Sequence, residues 1–388
     1  MGEESQIIDL ADSDSAGNEL SFYAAVRSGT CWILSIASLL CCIGSIGTEF
    51  GPAQGWLLFV LWVWIAIVVH ELGHALAALA CGWRIFVFAA GPFGFHVHNR
   101  EFAIIPRPKR TEFAGFVVPS PSSAEVWTRG RRAIIDVAGP IMSLALAGIS
   151  ALAAFIWRPT SSGDFDFSMA LVALCLMSVS VAWITLTPSA SGKHISDIQN
   201  FISAVRTDEG KWRQTRAIGQ LYGLVKYKVR LRDLPLWMLG EAQVASRDDP
   251  QLRRAYDALV ISIVLDTLPV DAKQARNLID GFRKTYGEDA WLASCDAYLS
   301  AVWEGDGDGA RNRLWKGQIL GELRPLGLAA EAAVLAKEGG ASAAEAKLKE
   351  MHDEVAKTSA FSDPTFRDIK KQIHATLLQA LQKKLTAG

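Results

Sequence analysis

Cysteine is scarce in this 388-residue chain and poorly spaced for chemistry. The six cysteines, Cys31, Cys41, Cys42, Cys81, Cys175 and Cys295, form no CxxC pair and no zinc-finger spacing, which argues against a redox dithiol or a cysteine-built metal site. Five lie in or next to apolar stretches, where a free thiol packs as a small hydrophobe. An excess of one charge sign is missing as well. Lys and Arg number 39 against 40 Asp and Glu, a formal net charge of -1, so nothing points to a nucleic-acid partner. Residues 1–28 lack a basic segment and carry Glu3, Glu4, Asp9, Asp12 and Asp14; a flexible acidic tail is expected there rather than a cleaved signal peptide. Charges are almost absent from residues 28–80 and 137–192 and dense after 205. What is plentiful is apolar: half of the residues are hydrophobic, 13 are Trp, and the mean hydropathy is +0.20. That composition excludes a disordered chain, a collagen-like repeat and a disulfide-stapled module, and it fits membrane interfaces.

A helix needs about 20 apolar residues to cross a bilayer, and four stretches offer them: about 29–48, 56–80, 134–157 and 168–188. Short polar turns separate the first from the second and the third from the fourth. The connection between the second and third is longer and basic, with Arg84, Arg100, Arg107, Lys109, Arg110, Arg129, Arg131 and Arg132. Basic loops stay cytoplasmic, so this loop and both chain ends are expected on the cytoplasmic side, and an even number of spans closes that arrangement. Within the loop, Trp83 to Val97 reads as two β-rich runs around Gly91-Pro92, and FAGFVVP (Phe113 to Pro119) as a further extended piece. Non-helical backbone at membrane depth survives only where protein or a wet cavity receives it, which predicts a small sheet beside the second span. His96 and His98 in this piece, at i and i+2, make a weak metal pair.

After Asp197 the pattern becomes soluble and helical. Runs such as LRRAYDALVISIVL, AKQARNLIDGFRKTY and AWLASCDAYLSAVW place apolar residues at helical spacing, broken by Gly- and Pro-containing turns. AYLSAVWEGDGDGARNRL resembles a tetratricopeptide helix pair without a clean 34-residue period. The expected fold class is mainly α: a tail over 1–28, a polytopic membrane domain over 29–200 with about four transmembrane helices and a small membrane-associated β element, and a cytoplasmic domain of helical hairpins over 205–388. Stacked hairpins present a groove suited to a cytoplasmic protein or peptide partner.

The chemistry centres on His70-Glu71-Leu72-Gly73-His74, inside the second apolar stretch. Positions i and i+4 share a helix face, so His70 and His74 are placed to bind one metal, and Glu71 to deprotonate a water held there. A carboxylate and two imidazoles inside a membrane helix are costly and mark function; the competing account is a polar cluster that joins helices. Two histidines leave a zinc site incomplete. The leading third ligand is Asp197, in the segment that follows the fourth span, with His194 in reserve; the alternative is that Ser196 or Asp197 merely caps the next helix.

In these features the chain resembles the site-2 protease family of intramembrane zinc metalloproteases. The resemblance rests on HExxH at His70 to His74, on Gly139-Pro140 in VAGPIMSLALA, and on the segment from Thr185 through Pro188 to Asp197, and it covers about residues 56–200. Thr185 stands where the family has Asn, Ile198 where it has Gly after the aspartate, and Ser143 where it has Asn after Gly-Pro. The resemblance implies one Zn2+ held by His70, His74 and Asp197, Glu71 as the catalytic base, and substrate positioning by Thr185, Gly139, Pro140, Gly115 and Phe116. It implies regulated intramembrane cleavage of a transmembrane protein substrate in the lipid bilayer, by a multi-pass protein of a bacterial cytoplasmic membrane. The alternatives are a catalytically degenerate relative acting as a binding or signalling scaffold, and a metal carrier. Cysteine-accessibility labelling checks the expected topology: positions in the 49–54 and 159–166 turns should label from outside, and labelling of the arginine-rich 82–130 loop from that side would overturn it.

Overall fold

The computed structural model describes residues 15–45, 52–97, 100–104, 115–157, 166–188, 196–226, 229–247, 249–266, 271–314, 324–358 and 364–387. His98 and His194 lie outside the described residues. The chain divides into two compact units, Met1–Arg213 and Gln214–Gly388.

The first unit runs α1 (Ser15–Gly44), α2 (Pro52–Ala80), β1 (Trp83–Ala90), β2 (Phe93–His96), β3 (Glu101–Ile104), β4 (Phe116–Pro121), α3 (Arg129–Ile156), α4 (Phe167–Leu186) and α5 (Asp197–Arg206), and ends within α6 (Glu209–Lys226). Three helices, Ala53–Ala80, Arg129–Ile156 and Phe167–Leu186, are long and apolar enough to cross a membrane. The stretch expected as a first span coincides with the apolar part of α1, Gly29–Gly44. At 1.5 Å per residue that part is about 24 Å long, short of a hydrocarbon core of about 30 Å. The third helix starts five residues earlier than its apolar run, because Thr128 accepts the Arg131 N–H and caps it.

Large apolar side chains face outward along these helices: Trp32 and Ile33 on α1, Leu57 and Val60 on α2, Ile149 and Phe155 on α3. Surfaces of that kind call for lipid rather than water. Small and hydroxyl-bearing residues lie between the helices instead. Ser38 donates to the Ala173 carbonyl at 2.9 Å and so links α1 to α4. At the crossing of α2 and α3, a Cβ on Gly73 would stand 2.5 Å from the Ala138 carbonyl oxygen, so only glycine permits this approach.

The sheet has the order β3-β2-β1-β4, antiparallel throughout. Two strands flank Gly91-Pro92 as the β-rich pattern predicts, and β3 is an addition that the sequence pattern did not signal. The face alternates on β2, with Phe93 and Phe95 exposed and Gly94 and His96 buried. His96 is therefore an interior residue of the sheet. Trp64 of α2 donates its indole N–H to the Ala90 carbonyl at 3.2 Å and packs edge-on against Phe93, which holds the sheet on the second helix. The edge strand β4 is paired through Phe88↔Val117 and Ala89↔Phe116.

Helix α5 returns along α3, and the start of α3 exchanges end groups with the junction between α5 and α6. The Arg129 guanidinium donates to the Thr207 and Val205 carbonyls at 2.6 and 3.3 Å, where α5 ends. Glu209 in turn accepts the Arg129 backbone N–H at 3.2 and 3.3 Å, at the start of α3. Beneath this exchange the rings of Trp127 and Trp212 are buried 5.8 Å apart.

The second unit continues from α6 through α7 (Leu236–Ala245), α8 (Pro250–Asp266), α9 (Ala272–Tyr286), α10 (Ala290–Leu299), α11 (Gly307–Arg313), α12 (Arg324–Lys337), α13 (Ala341–Thr358) and α14 (Pro364–Ala387). Alanine-rich α12 packs against α10, α13 and α14 in one core; Ile261, Ile279, Phe282 and Leu292 form another. Asp296, fully buried on α10, is ion-paired to Arg276, Arg283 and Arg313; pairing of this kind is what makes a buried carboxylate tolerable.

Magnitudes rank the contacts that tie the start of α6 to the start of α3. Loss of a buried Trp costs about 3–5 kcal/mol, whereas part-exposed ion pairs such as those of Glu209 with Arg129 and Arg213 contribute about 1 kcal/mol or less each. Trp212→Ala should therefore lower the thermal midpoint of the detergent-solubilised protein several times more than Glu209→Gln; equal shifts would overturn the ranking.

Candidate metal centre

Apolar periodicity makes α2 a long helix, and that helix puts His70 and His74 on one face, one turn apart. Both are buried, as is Glu71 between them in sequence. Asp197 arrives from elsewhere, as the first residue of α5. Its neighbour Ser196 holds the N-cap position, and Gln199 accepts the Ser196 N–H at 2.9 Å. The capping box is thus built without Asp197, whose carboxylate reaches the histidine pair.

Three atoms converge. The two Nε2 atoms stand 3.2 Å apart, and Asp197 Oδ2 lies 3.2 Å from that of His70 and 3.4 Å from that of His74. Among the described residues this is the one group of three His, Cys, Asp or Glu side chains close enough to share a metal ion. His74 Nδ1 lies 2.7 Å from the Ile135 carbonyl. A carbonyl only accepts, so Nδ1 carries the proton and a neutral ring keeps its Nε2 lone pair for the centre. Asp197 Oδ2 is buried without a hydrogen-bond partner.

Acceptor atoms packed this closely repel one another unless a cation lies between them. Ligands at about 2.0–2.1 Å from a tetrahedral zinc stand about 3.3–3.4 Å from each other, close to the separations observed here. The residues present fit zinc in donor type, number and spacing.

The neighbouring backbone leaves room for the centre at two glycines. A Cβ on Gly139 would stand 2.2 Å from His74 Nε2. Gly115, at φ +124°, has a conformation that L side chains rarely adopt, and its Cβ would lie 2.9 Å from Glu71 Cγ and 3.0 Å from the Ala89 carbonyl oxygen. The structure thus brings His70, Glu71, His74, Asp197, Gly115 and Gly139 together, with Phe116 next along β4. Pro140 is buried inside α3. Having no N–H, it cannot donate to the Asp136 carbonyl, and so loosens the helix one residue beyond the Ile135 carbonyl that holds His74.

Thr185 is placed otherwise. Its hydroxyl is directed to carbonyls of its own helix, Val181 at 3.3 Å and Ala182 at 3.1 Å, as threonines near helix ends commonly do. Two contacts at the centre go beyond the sequence reading, one from a backbone group and one from Ser143, which the sequence had singled out only by its position after Gly-Pro. The Ile135 carbonyl is backbone and carries no residue signal. Ser143 Oγ lies 2.9 Å from His70 Nδ1; its spacing of four from Gly139, on the same face of α3, was the available clue.

The family model described as Peptidase family M50 matches residues 58–386. The chain belongs to this family, the site-2 protease family of metallopeptidases. Comparisons with curated proteins and with solved structures find no match. Family membership together with three long apolar helices supports an integral membrane protein of the site-2-protease type.

Gly139→Ala tests the cradle. The added methyl overlaps His74 Nε2, so zinc retained after detergent purification should fall at least about tenfold, the range seen when groups orienting a ligand are disturbed. Full zinc occupancy in a folded Gly139→Ala protein would show that the close approach is unnecessary.

Proposed function

We propose that this protein is an intramembrane zinc endopeptidase that hydrolyses a peptide bond in or near a membrane span of another protein. The observation that carries this proposal is the triangle of His70 Nε2, His74 Nε2 and Asp197 Oδ2, at 3.2–3.4 Å separations, in a member of a metallopeptidase family. In it His70, His74 and Asp197 are the ligands. Zinc, when bound, supplies Lewis-acid polarisation of the scissile carbonyl and acidification of a water.

The chain's own residues supply the rest. Glu71 takes the proton from the attacking water at its carboxylate and delivers it to the amide nitrogen as the C–N bond breaks. Glu71 is buried on α2 with Gly115, at the start of β4, packed close to its side chain, which keeps bulk water from the acid. The substrate lies as an added strand along the β4 edge, because a helical peptide bond is shielded by its own hydrogen bonds and must be unwound before attack. Pro119 and Pro121 interrupt that edge by removing backbone donors. An added strand therefore pairs best along Phe116–Val118, the end that adjoins Glu71 through Gly115. On the proposed topology this centre faces the cytoplasmic side, and the helices after residue 205 are a cytoplasmic domain for a protein or peptide partner.

One observation favours a second reading, a relative that binds substrate without cutting. Thr185, where the family has Asn, turns its hydroxyl into its own helix and is not offered to a substrate. A single experiment decides between them. Purified wild type should hold zinc near one equivalent and cleave a membrane-protein substrate in proteoliposomes. Glu71→Gln should keep the zinc and lose cleavage by at least about a hundredfold, the scale of general-base catalysis, and His74→Ala should lose both. Wild type that holds zinc but cleaves no better than Glu71→Gln would favour the scaffold.

A further inference from the structure

We infer that Ser143 is a positioning residue of the metal centre, fixing the His70 ring so that its Nε2 lone pair faces His74 and Asp197. The inference rests on the ligand set proposed above. Ser143 is buried on α3, one turn beyond Gly139, and its Oγ stands 2.9 Å from His70 Nδ1. A neutral imidazole carries one N–H. With that hydrogen on Nδ1, it donates to the serine oxygen, and Nε2 points an unshared pair at the centre. With it on Nε2, the proton would sit where the cation belongs and His70 could not act as a ligand.

The same helix treats the second histidine in the same way. The Ile135 carbonyl holds His74 Nδ1 at 2.7 Å, so α3 sets both rings of α2, one through a backbone oxygen and one through a hydroxyl. A hydroxyl also donates, unlike a carbonyl, which makes the serine the weaker determinant of the two. The Gly139 carbonyl also interacts with the His70 ring and is the competing acceptor. The replacement of the family's Asn by Ser at this position keeps an oxygen within reach of Nδ1.

Metal affinity, rather than turnover, tests this role. Zinc and cobalt dissociation constants are measured by chelator competition on the full-length protein in detergent, with the cobalt absorption spectrum as a report on ligand geometry. Ser143→Ala should weaken binding by about 10- to 100-fold and shift the cobalt bands, while Ser143→Thr, which keeps the hydroxyl, stays near wild type. Ser150→Ala removes another buried α3 hydroxyl and controls for packing; it should bind as wild type does. Ser143→Ala with wild-type affinity and spectrum would overturn the role and leave the Gly139 carbonyl as the sufficient partner. Equal weakening by Ser143→Ala and Ser150→Ala would reduce the effect to packing. Failure of folded wild type to bind either metal would instead overturn the ligand set, and this role with it.

Discussion

Three electron-rich atoms are held within van der Waals reach of one another, and most of the first unit bears on how that crowding is sustained. Two imidazole nitrogens and a carboxylate oxygen at 3.2–3.4 Å form an arrangement that a low-dielectric interior penalises unless positive charge lies among them. The histidine spacing alone does not create it. Helix α2 supplies the pair, α3 approaches closely enough at Gly73 and Gly139 to set the rings, and α5 brings the carboxylate from a distant part of the sequence. Two of these helices are constrained by a further contact away from the centre: α2 by Trp64 on the sheet, and the end of α5 by the Arg129 guanidinium on the Val205 and Thr207 carbonyls. The acid beside the pair, Glu71, is enclosed by the start of β4, where only glycine fits.

Legibility in the sequence follows the range of the interaction. His70, Glu71 and His74 were legible because their geometry is set within one helical turn, and the apolar residues around them make the polar ones conspicuous. The second, third and fourth apolar runs emerge as α2, α3 and α4 for the same reason. Asp197 was harder, since an acid at a helix start is ordinarily a cap; Ser196 and Gln199 take that task here, which no single position announces. Residues 101–104 gave no signal because a four-residue edge strand has too few side chains for an alternating pattern. The Ile135 carbonyl and the Ser143 hydroxyl act across a helix interface; spacing puts Ser143 on the face of Gly139 but does not name the ring nitrogen it meets.

Ser143 and Thr185 both offer a hydroxyl on a membrane helix, yet the two groups meet different partners. A hydroxyl on the buried face of α3 meets a ring nitrogen of His70. A hydroxyl at the end of α4 finds its own helix carbonyls first, because a short side chain cannot reach past them. Local geometry, rather than residue similarity, separates the two.

The placement of Asp197 on α5 bears on the order in which the protein is made. The histidine pair emerges from the ribosome with the second helix, while the carboxylate follows only after the third and fourth helices have been synthesised. On the proposed ligand set, a nascent chain at the membrane would carry two imidazoles and an acid but no closed centre. Hydrolytic competence would come late, once α5 has turned back along α3. An enzyme that attacks unwound peptide within the bilayer would in this way be silent while its own helices are still passing through it.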